Sequence, residues 1–210
     1  MNEMAVIFEQ LPVGAYKNFS YLLGDVASKK GVIFDPAWEI ESLSSRLNHH
    51  ELKLEYIINT HAHFDHIEGN QKMKERTGAK IVMHESSLAL KDRGVGDGTE
   101  LRIGSAISLK FVHTPGHSPE SMCIQINDFG LVTGDTLLIG ECGRVDLPGG
   151  DANLLYGSFE KLRTLNHDLI VYPGHDYGEK KSSTLGEQIN TNYTMATRTR
   201  EEFLKFMKEP

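Results

Sequence analysis

One short segment of the 210-residue chain combines several metal-binding residue types: Thr60–His66 reads Thr-His-Ala-His-Phe-Asp-His. His61 and His63 are two positions apart, so in an extended chain their side chains point to the same side and can bind one ion together. Asp65 and His66 follow after a bend and can face a second ion nearby. Imidazole and carboxylate ligands suit zinc, iron or manganese, and three or four of them with an open coordination position are typical of a catalytic metal site.

Three more metal-type side chains lie further along the chain, each in a turn that follows a strand-like apolar run. His117 and His175 each follow a Pro-Gly pair, and Asp135 follows a glycine. Each signal is weak alone, and an isolated aspartate is more typical of a turn or a helix cap. Four strand ends that deliver metal-type ligands in sequence nevertheless predict one shared centre, in which each oxygen of Asp135 can bind one of two metals.

The spacing of apolar and turn-forming residues predicts the elements that must position these side chains. Strands are predicted at Ala5–Phe8, Ser20–Leu23, Gly31–Phe34, Leu54–Asn59, Lys80–Met83, Glu100–Ile103, Ile107–His113, Met122–Ile126, Gly130–Thr133 and Leu169–Tyr172. Helices are predicted at Glu39–Leu47, Ile67–Thr77, Ala152–Leu165 and over much of the chain from Leu185 to the end. Two groups of strands with helices outside favour a four-layer αββα sandwich of the α/β class. No repeat or linker divides the chain, so one domain is expected over residues 1–210.

Composition excludes several function classes. With 39% hydrophobic and 24% charged residues, the chain is typical of globular proteins, and its apolar runs are too short to cross a membrane. A net charge of -7 without a run of lysine and arginine argues against nucleic acid as a partner. Met1–Met4 does not have the pattern that begins a secretory signal peptide, so a cytoplasmic protein is expected. Cys123 and Cys142 provide no disulfide framework.

Together these motifs resemble the metallo-β-lactamase superfamily, whose order is followed by Phe34-Asp35-Pro36, the HxHxDH segment, Gly116-His117, Gly134-Asp135 and Gly174-His175. The resemblance implies the αββα fold, with metal ions between the sheet edges. For the dinuclear hydrolases of the family it implies a first metal held by His61, His63, His117 and Asp135, and a second held by Asp65, His66, Asp135 and His175. Asp65 and Asp135 are thereby expected to serve catalysis, and Asp35 to tie the ligand loops together by hydrogen bonds.

The segment Phe64–Asn70 most resembles glyoxalase II-like hydrolases, which cleave thioesters of glutathione. In such enzymes two divalent metals, zinc or else iron or manganese, ionise a bridging water that attacks the thioester carbonyl. Full-length glyoxalase II carries a further helical region with basic residues that hold glutathione. Only a short stretch follows His175 here, so the expected substrate is hydroxyacylglutathione or a similar thiol ester, cleaved by a shorter, single-domain relative.

A second hypothesis for the function comes from Gly134–Arg144, which resembles the persulfide dioxygenases of the same superfamily. Those enzymes oxidise glutathione persulfide with O₂ at one Fe(II). The resemblance then implies a two-histidine, one-carboxylate iron site made of His61, His117 and Asp135. Around Phe64 the chain departs from the dioxygenase pattern, which has a small residue before the aspartate.

Two residues are expected to contact the small, thiol-derived substrate. Arg144 can bind an anionic group or stabilise the loop behind the centre. The hypothesis that it forms only an exposed salt bridge is equally good. Tyr177 lies in the second of two turn-rich segments, 145–151 and 176–185, that are predicted to determine specificity. The C-terminal apolar residues around Phe203 favour either a docked helix or a homodimer contact. A non-catalytic diiron electron-transfer module is a remote third reading, because that group carries a carboxylate in place of His63.

The remaining histidines lie near element boundaries or on a strand and are expected not to bind metal. They are His49, His50, His84, His113 and His167.

Overall fold

A computed structural model describes residues 5–208; Met1–Met4, on which the localisation prediction rests, and positions 209–210 lie outside the described residues. The strands are β1 (Val6–Val13), β2 (Asn18–Asp25), β3 (Lys30–Phe34), β4 (Lys53–Ile58), β5 (Lys80–His84), β6 (Arg93–Val95), β7 (Glu100–Ile103), β8 (Ile107–His113), β9 (Met122–Ile126), β10 (Gly130–Gly134), β11 (Ile170–Pro173) and β12 (Ser183–Thr184). The helices are α1 (Ile40–His49), α2 (Phe64–Ile67), α3 (Asn70–Thr77), α4 (Ala152–Arg163), α5 (Leu185–Thr191) and α6 (Arg200–Phe206).

The strands form two six-stranded sheets of mixed direction. The first follows the chain from β1 to β6, and the second has the order β12-β11-β10-β9-β8-β7. Three hydrophobic clusters separate the layers: one lies between the sheets, one between the first sheet and α1 and α3, and one between the second sheet and α4 to α6. The predicted four-layer αββα sandwich is therefore confirmed, whereas the single domain over residues 1–210 stays a prediction.

The side-chain alternation of β2 shows why the first sheet is apolar on both faces. Phe19, Tyr21 and Leu23 face the second sheet in the central cluster, whereas Leu22 packs against the helices. Successive residues of a strand point to opposite faces, so a strand covered on both sides carries apolar residues facing both layers.

Each predicted strand is present, and the two missed strands, β6 and β12, are only three and two residues long. The first strand runs on to Val13, beyond its predicted end at Phe8, because it pairs with β2 over its full length. The predicted helix Ile67–Thr77 is wrong at its start. A separate turn of helix begins at Phe64, and Gly69, where a Cβ atom would lie 2.2 Å from the carbonyl oxygen of Pro36, separates it from α3.

Cys123 and Cys142 are both free and buried. Within residues 5–208, no helix has the length and apolar character that crossing a membrane requires.

One buried carboxylate joins the two sheets. Asp25, at the end of β2, accepts hydrogen bonds at Oδ2 from the backbone N–H groups of Ser105 (2.6 Å) and Ala106 (3.1 Å), and at Oδ1 from that of Ala27 (2.9 Å). Burial alone would raise the pKa of Asp25, but these donors lower it to about 2. The folded state therefore favours the charged form.

Asp25→Asn is expected to lower the free energy of unfolding by about 2 kcal/mol at neutral pH, because charge-assisted hydrogen bonds between the sheets are weakened. The higher free energy of unfolding of the wild-type protein, relative to Asp25→Asn, is expected in full above about pH 4. This difference is lost as the pH falls through the folded pKa of about 2. Urea unfolding at several pH values measures it, with Asp128→Asn at an exposed turn as the control. Equal stabilities at neutral pH would contradict this role of Asp25.

Candidate metal centre

Both sheets contribute to one centre at a common edge. The segment His61–His66 begins three residues after the end of β4 in the first sheet. The second sheet contributes His117 from the loop between β8 and β9, Asp135 directly after β10, and His175 after β11. Because β10 and β11 are parallel neighbours, their carboxyl ends place Asp135 and His175 side by side.

All seven predicted ligands come together in three overlapping groups, within each of which the ligand atoms lie no more than 4.8 Å apart. The groups are His61, His63 and His117; His61, His66 and Asp135; and Asp65, His66 and His175. Within residues 5–208, none of the other histidines belongs to such a group. The seven grouped residues are those that the sequence predicted as metal ligands.

Asp135 lies in the middle of this cluster. Its Oδ2 is 3.5 Å from His117 Nε2 and 3.2 Å from His175 Nε2, and its Oδ1 is 3.6 Å from His66 Nε2. The carboxylate can therefore contact ions on either side.

Two atoms of the cluster are buried without a hydrogen-bond partner among the described residues: His61 Nε2 and Asp135 Oδ1. An unsatisfied buried polar atom is costly, and the cost is greater for a charged group. A cation bound between the two atoms would satisfy both. The donor set, of imidazole nitrogens and carboxylate oxygens, thus fits a metal ion of the zinc, iron or manganese type.

In four of the histidine rings, Nδ1 forms a hydrogen bond with an oxygen atom outside the centre. This hydrogen bond directs Nε2 of the same ring to the centre. The Nδ1 atoms lie 3.0 Å from Thr60 Oγ1 for His61, 3.1 Å from Asp35 Oδ2 for His66, 2.8 Å from the Arg144 carbonyl for His117 and 2.9 Å from the Tyr16 carbonyl for His175. His63 is the exception, because its Nδ1 faces His117 Nε2 at 2.9 Å. His63 thus offers the opposite ring nitrogen to the centre.

Asp35 lies behind the cluster, buried, in the position that the family resemblance implied. Its carboxylate accepts hydrogen bonds from the Thr60 backbone N–H (2.8 Å) and hydroxyl (2.7 Å), in addition to the contact with His66. One carboxylate therefore orients His66 directly and His61 through Thr60.

The electrostatic environment suits a cation. Burial alone would raise the pKa of Asp135, but His66 and His175 hold it well below its usual range. Burial and the nearby His66 lower the pKa of His61 well below its usual range, so His61 is neutral at pH 7. For His66, burial alone would lower the pKa, but Asp135 and Asp35 raise it well above the usual range. Asp135 and His61 thus already have the protonation states that metal ligation requires, and the surroundings favour positive charge at His66.

Two glycines leave room for Asp135. A Cβ atom on Gly174 would lie 2.1 Å from Asp135 Oδ1, and one on Gly143 would lie 2.0 Å from the Asp135 carbonyl oxygen and 2.8 Å from His117 Nδ1. No other residue type fits at either position without displacing a candidate ligand.

Sequence reasoning missed two residues that hold the ligand loops. Asn18 donates from Nδ2 to the carbonyl (2.9 Å) and Oδ2 (3.1 Å) of Asp65, and Glu120 accepts a hydrogen bond from the Ala62 N–H (3.1 Å). Asn18 is 47 positions from Asp65 and Glu120 is 58 from Ala62. No local pattern could have linked residues so distant in the chain.

A cleft of about 290 Å³ opens over the centre, and both predicted substrate residues line it. The Arg144 guanidinium donates two hydrogen bonds to the Asp146 carboxylate, each of 2.6 Å, in an exposed salt bridge. Tyr177 stacks on the His175 ring and donates to the Tyr16 carbonyl. Substrate contact by Arg144 and Tyr177 stays a prediction.

Comparison with known proteins identifies the family and several relatives of the chain. The sequence model of the metallo-β-lactamase superfamily matches residues 13–175. Human mitochondrial persulfide dioxygenase ETHE1 is 38% identical over 193 residues, 90% of this chain and 75% of that protein. Hydroxyacylglutathione hydrolase from Polaromonas sp. is 36% identical over 182 residues, 83% of this chain and 68% of that enzyme. The crystal structure of ETHE1 from Myxococcus xanthus has a TM-score of 0.91 at 33% identity, covering 97% of this chain and 90% of that one.

The chain therefore belongs to the metallo-β-lactamase superfamily, as its motifs had indicated. It is an enzyme of that metal-dependent superfamily, and its relatives include both a persulfide dioxygenase and a hydroxyacylglutathione hydrolase.

Asp35→Asn is expected to weaken metal binding by about 10- to 100-fold, because the amide cannot accept at both oxygens and so no longer holds both His66 and Thr60. Competition with a chromogenic chelator measures the affinity. The control is Asp128→Asn, which removes the same charge from the surface. Unchanged affinity in a folded Asp35→Asn protein would refute the supporting role of Asp35.

Proposed function

We propose that the chain is a persulfide dioxygenase, which oxidises the persulfide of a small thiol with O₂ at a single iron ion. The observation that carries this proposal is the wall of the centre formed by residues 134–144, the segment whose sequence resembles those enzymes. There the Gly143 N–H donates to the Asp135 carbonyl (2.9 Å) and the Arg144 carbonyl accepts from His117 Nδ1 (2.8 Å). The segment thus positions two of the three implied iron ligands. The 38% identity to human persulfide dioxygenase ETHE1 also supports the proposal.

The reaction balances without another oxidant: R–S–SH, O₂ and water give R–SH and sulfurous acid. The S–S bond breaks, and the outer sulfur is oxidised as both atoms of O₂ are reduced. His61, His117 and Asp135 would hold the iron. A bound Fe(II) with two histidines and one carboxylate supplies open positions at which the persulfide and O₂ react.

The protein residues around those ligands have separate tasks. Thr60 and the Arg144 carbonyl keep the Nε2 atoms of His61 and His117 directed to the centre. Leu138 and Leu147 line the cleft next to the ligands and limit the access of water to the reacting sulfur. Arg144, paired with Asp146, lines the same cleft, and its contact with an anionic substrate stays a prediction.

Phe64 was the sequence feature that favoured a hydrolase instead. Its side chain is 58% exposed, and its ring packs against Tyr16 and Trp38. Phe64 lines a different pocket from the cleft over the centre, so the bulky residue leaves the ligand set intact.

Thioester hydrolysis with two metals is the second candidate. It is favoured because the ligands implied for a second metal are also close together. Asp65 Oδ2 is 3.7 Å from His66 Nε2 and 3.5 Å from His175 Nε2. The similarity to hydroxyacylglutathione hydrolase from Polaromonas sp. supports the same reading.

Metal analysis of protein purified without added metal, combined with two activity assays, separates the candidates. We expect one iron per chain, O₂ uptake that depends on the persulfide of a small thiol, and sulfite as product. The second assay measures cleavage of lactoylglutathione. Two metal ions per chain with thioester cleavage and no persulfide-dependent O₂ uptake would overturn the proposal in favour of the hydrolase.

Single substitutions provide an independent test of the ligand set. His61→Ala and Asp135→Asn are expected to abolish iron binding and O₂ uptake in a folded protein, because both residues are direct ligands. His175→Ala is expected to retain one iron and to lose no more than about 10- to 100-fold in activity, since His175 would act from outside the iron site. His167→Ala, at an exposed histidine, is the control. Loss of all iron from His175→Ala would contradict the three-ligand site.

A further inference from the structure

A second, larger cleft adjoins the one over the metal centre. It has a volume of about 730 Å³ and shares Glu141 and Tyr177 with the smaller cleft. Its other walls come from the segment after β10 and from the specificity segment 176–185 and α5. A substrate whose sulfur lies at the metal therefore has space for its organic part in this adjoining cleft.

The walls combine apolar surface with negative charge. Ile139 and the half-exposed ring of Tyr177 supply the apolar part, and the charged residues are Glu141, Glu179, Lys180 and Glu187.

Most of the positive charge at this cleft is already neutralised. Lys180 Nζ donates to Glu187 Oε1 at 2.6 Å, so this pair contributes little net charge. Glu179 is exposed and has no salt bridge within residues 5–208. Within the same residues, the Glu141 carboxylate accepts hydrogen bonds only from neutral groups, the hydroxyl of Tyr193 and the N–H of Cys142. Two carboxylates are thus left in excess. The guanidinium of Arg144, at the smaller cleft, is offset by Asp146.

We propose that the adjoining cleft binds the organic part of the substrate and selects persulfides whose organic part is neutral or cationic over anionic ones such as glutathione persulfide. The cleft and the two wall residues that it shares with the cleft over the metal centre, Glu141 and Tyr177, define the site, and the charges decide which ligand it prefers. Glutathione brings two carboxylates and one ammonium to walls that already carry excess negative charge. An amine-bearing thiol is attracted by Glu141 and Glu179, and the exposed Tyr177 ring favours an ammonium group further.

This inference rests on the proposed persulfide oxidation, and three persulfides of similar size test it: those of cysteamine, 2-mercaptoethanol and 3-mercaptopropionate, each made from the disulfide and sulfide. At low ionic strength, kcat/KM for O₂ uptake is expected to be about tenfold higher for the cationic than for the anionic persulfide, with the neutral one between them. The ratio is expected to shrink towards one in 0.5 M salt, about the range in which surface charges are screened.

Glu179→Gln is expected to lower the cationic-to-anionic ratio about threefold, because it removes one of the excess charges and keeps the shape of the side chain. The matched control is Glu100→Gln on β7, an exposed glutamate at the far edge of the second sheet, for which the ratio is expected to stay unchanged.

A binding experiment avoids dependence on turnover. Ligand-observed NMR titrations compare the unreactive thioethers S-methylcysteamine and 3-(methylthio)propionate, and the amine is expected to bind about tenfold more tightly. Equal or reversed preference, or a ratio insensitive to Glu179→Gln, would overturn the charge selection even if persulfides are oxidised. A retained binding preference without O₂ uptake from any persulfide would instead overturn the proposed oxidation and leave the selection standing.

Discussion

The structure depends most on the burial of Asp135 among histidine rings. Ring nitrogens of His66, His117 and His175 lie within 3.6 Å of its oxygens, at a site almost closed to solvent. Ionisable groups brought so close in a protein interior are costly unless opposite charges or a metal satisfy them. The surroundings follow from this requirement. Gly174 and Gly143 leave space for the aspartate, and oxygens behind the rings direct their nitrogens towards it.

The centre exists only because two sheets meet at one edge. The four candidate ligands of the HxHxDH segment come from the first sheet, and the other three come from the second. The distance between the two sets is determined by the apolar cluster between the sheets, where residues such as Phe19 and Phe111 are completely or almost completely buried. The close packing of that cluster, together with the bridge from Asp25 to the second sheet, keeps the ligand atoms at metal-binding separation.

The superfamily contains enzymes of more than one reaction, as the similarity to a persulfide dioxygenase and to a hydroxyacylglutathione hydrolase illustrates. We expect the number of ions held and the walls around them to distinguish these reactions. Here the wall from Gly134 to Arg144 positions candidate ligands, whereas the loop around Tyr177 and Glu179 lines the adjoining cleft that we propose for the rest of the substrate. In this proposal, ligand geometry and substrate preference are carried by different segments, which can vary independently.

The sequence by itself determined the layer architecture, and it predicted the seven residues that the structure brings together at the candidate centre. Apolar periodicity and turn residues are local signals, and the HxHxDH spacing places several ligands on one short segment. It could not determine the short strand β12, the break at Gly69, or the roles of Asn18 and Glu120, because those features depend on partners far along the chain. Arg144 illustrates the limit: its type suits anion binding, but only the tertiary structure decided that Asp146 pairs with it. Charge compensation is set by three-dimensional distance, which the order of residues does not specify.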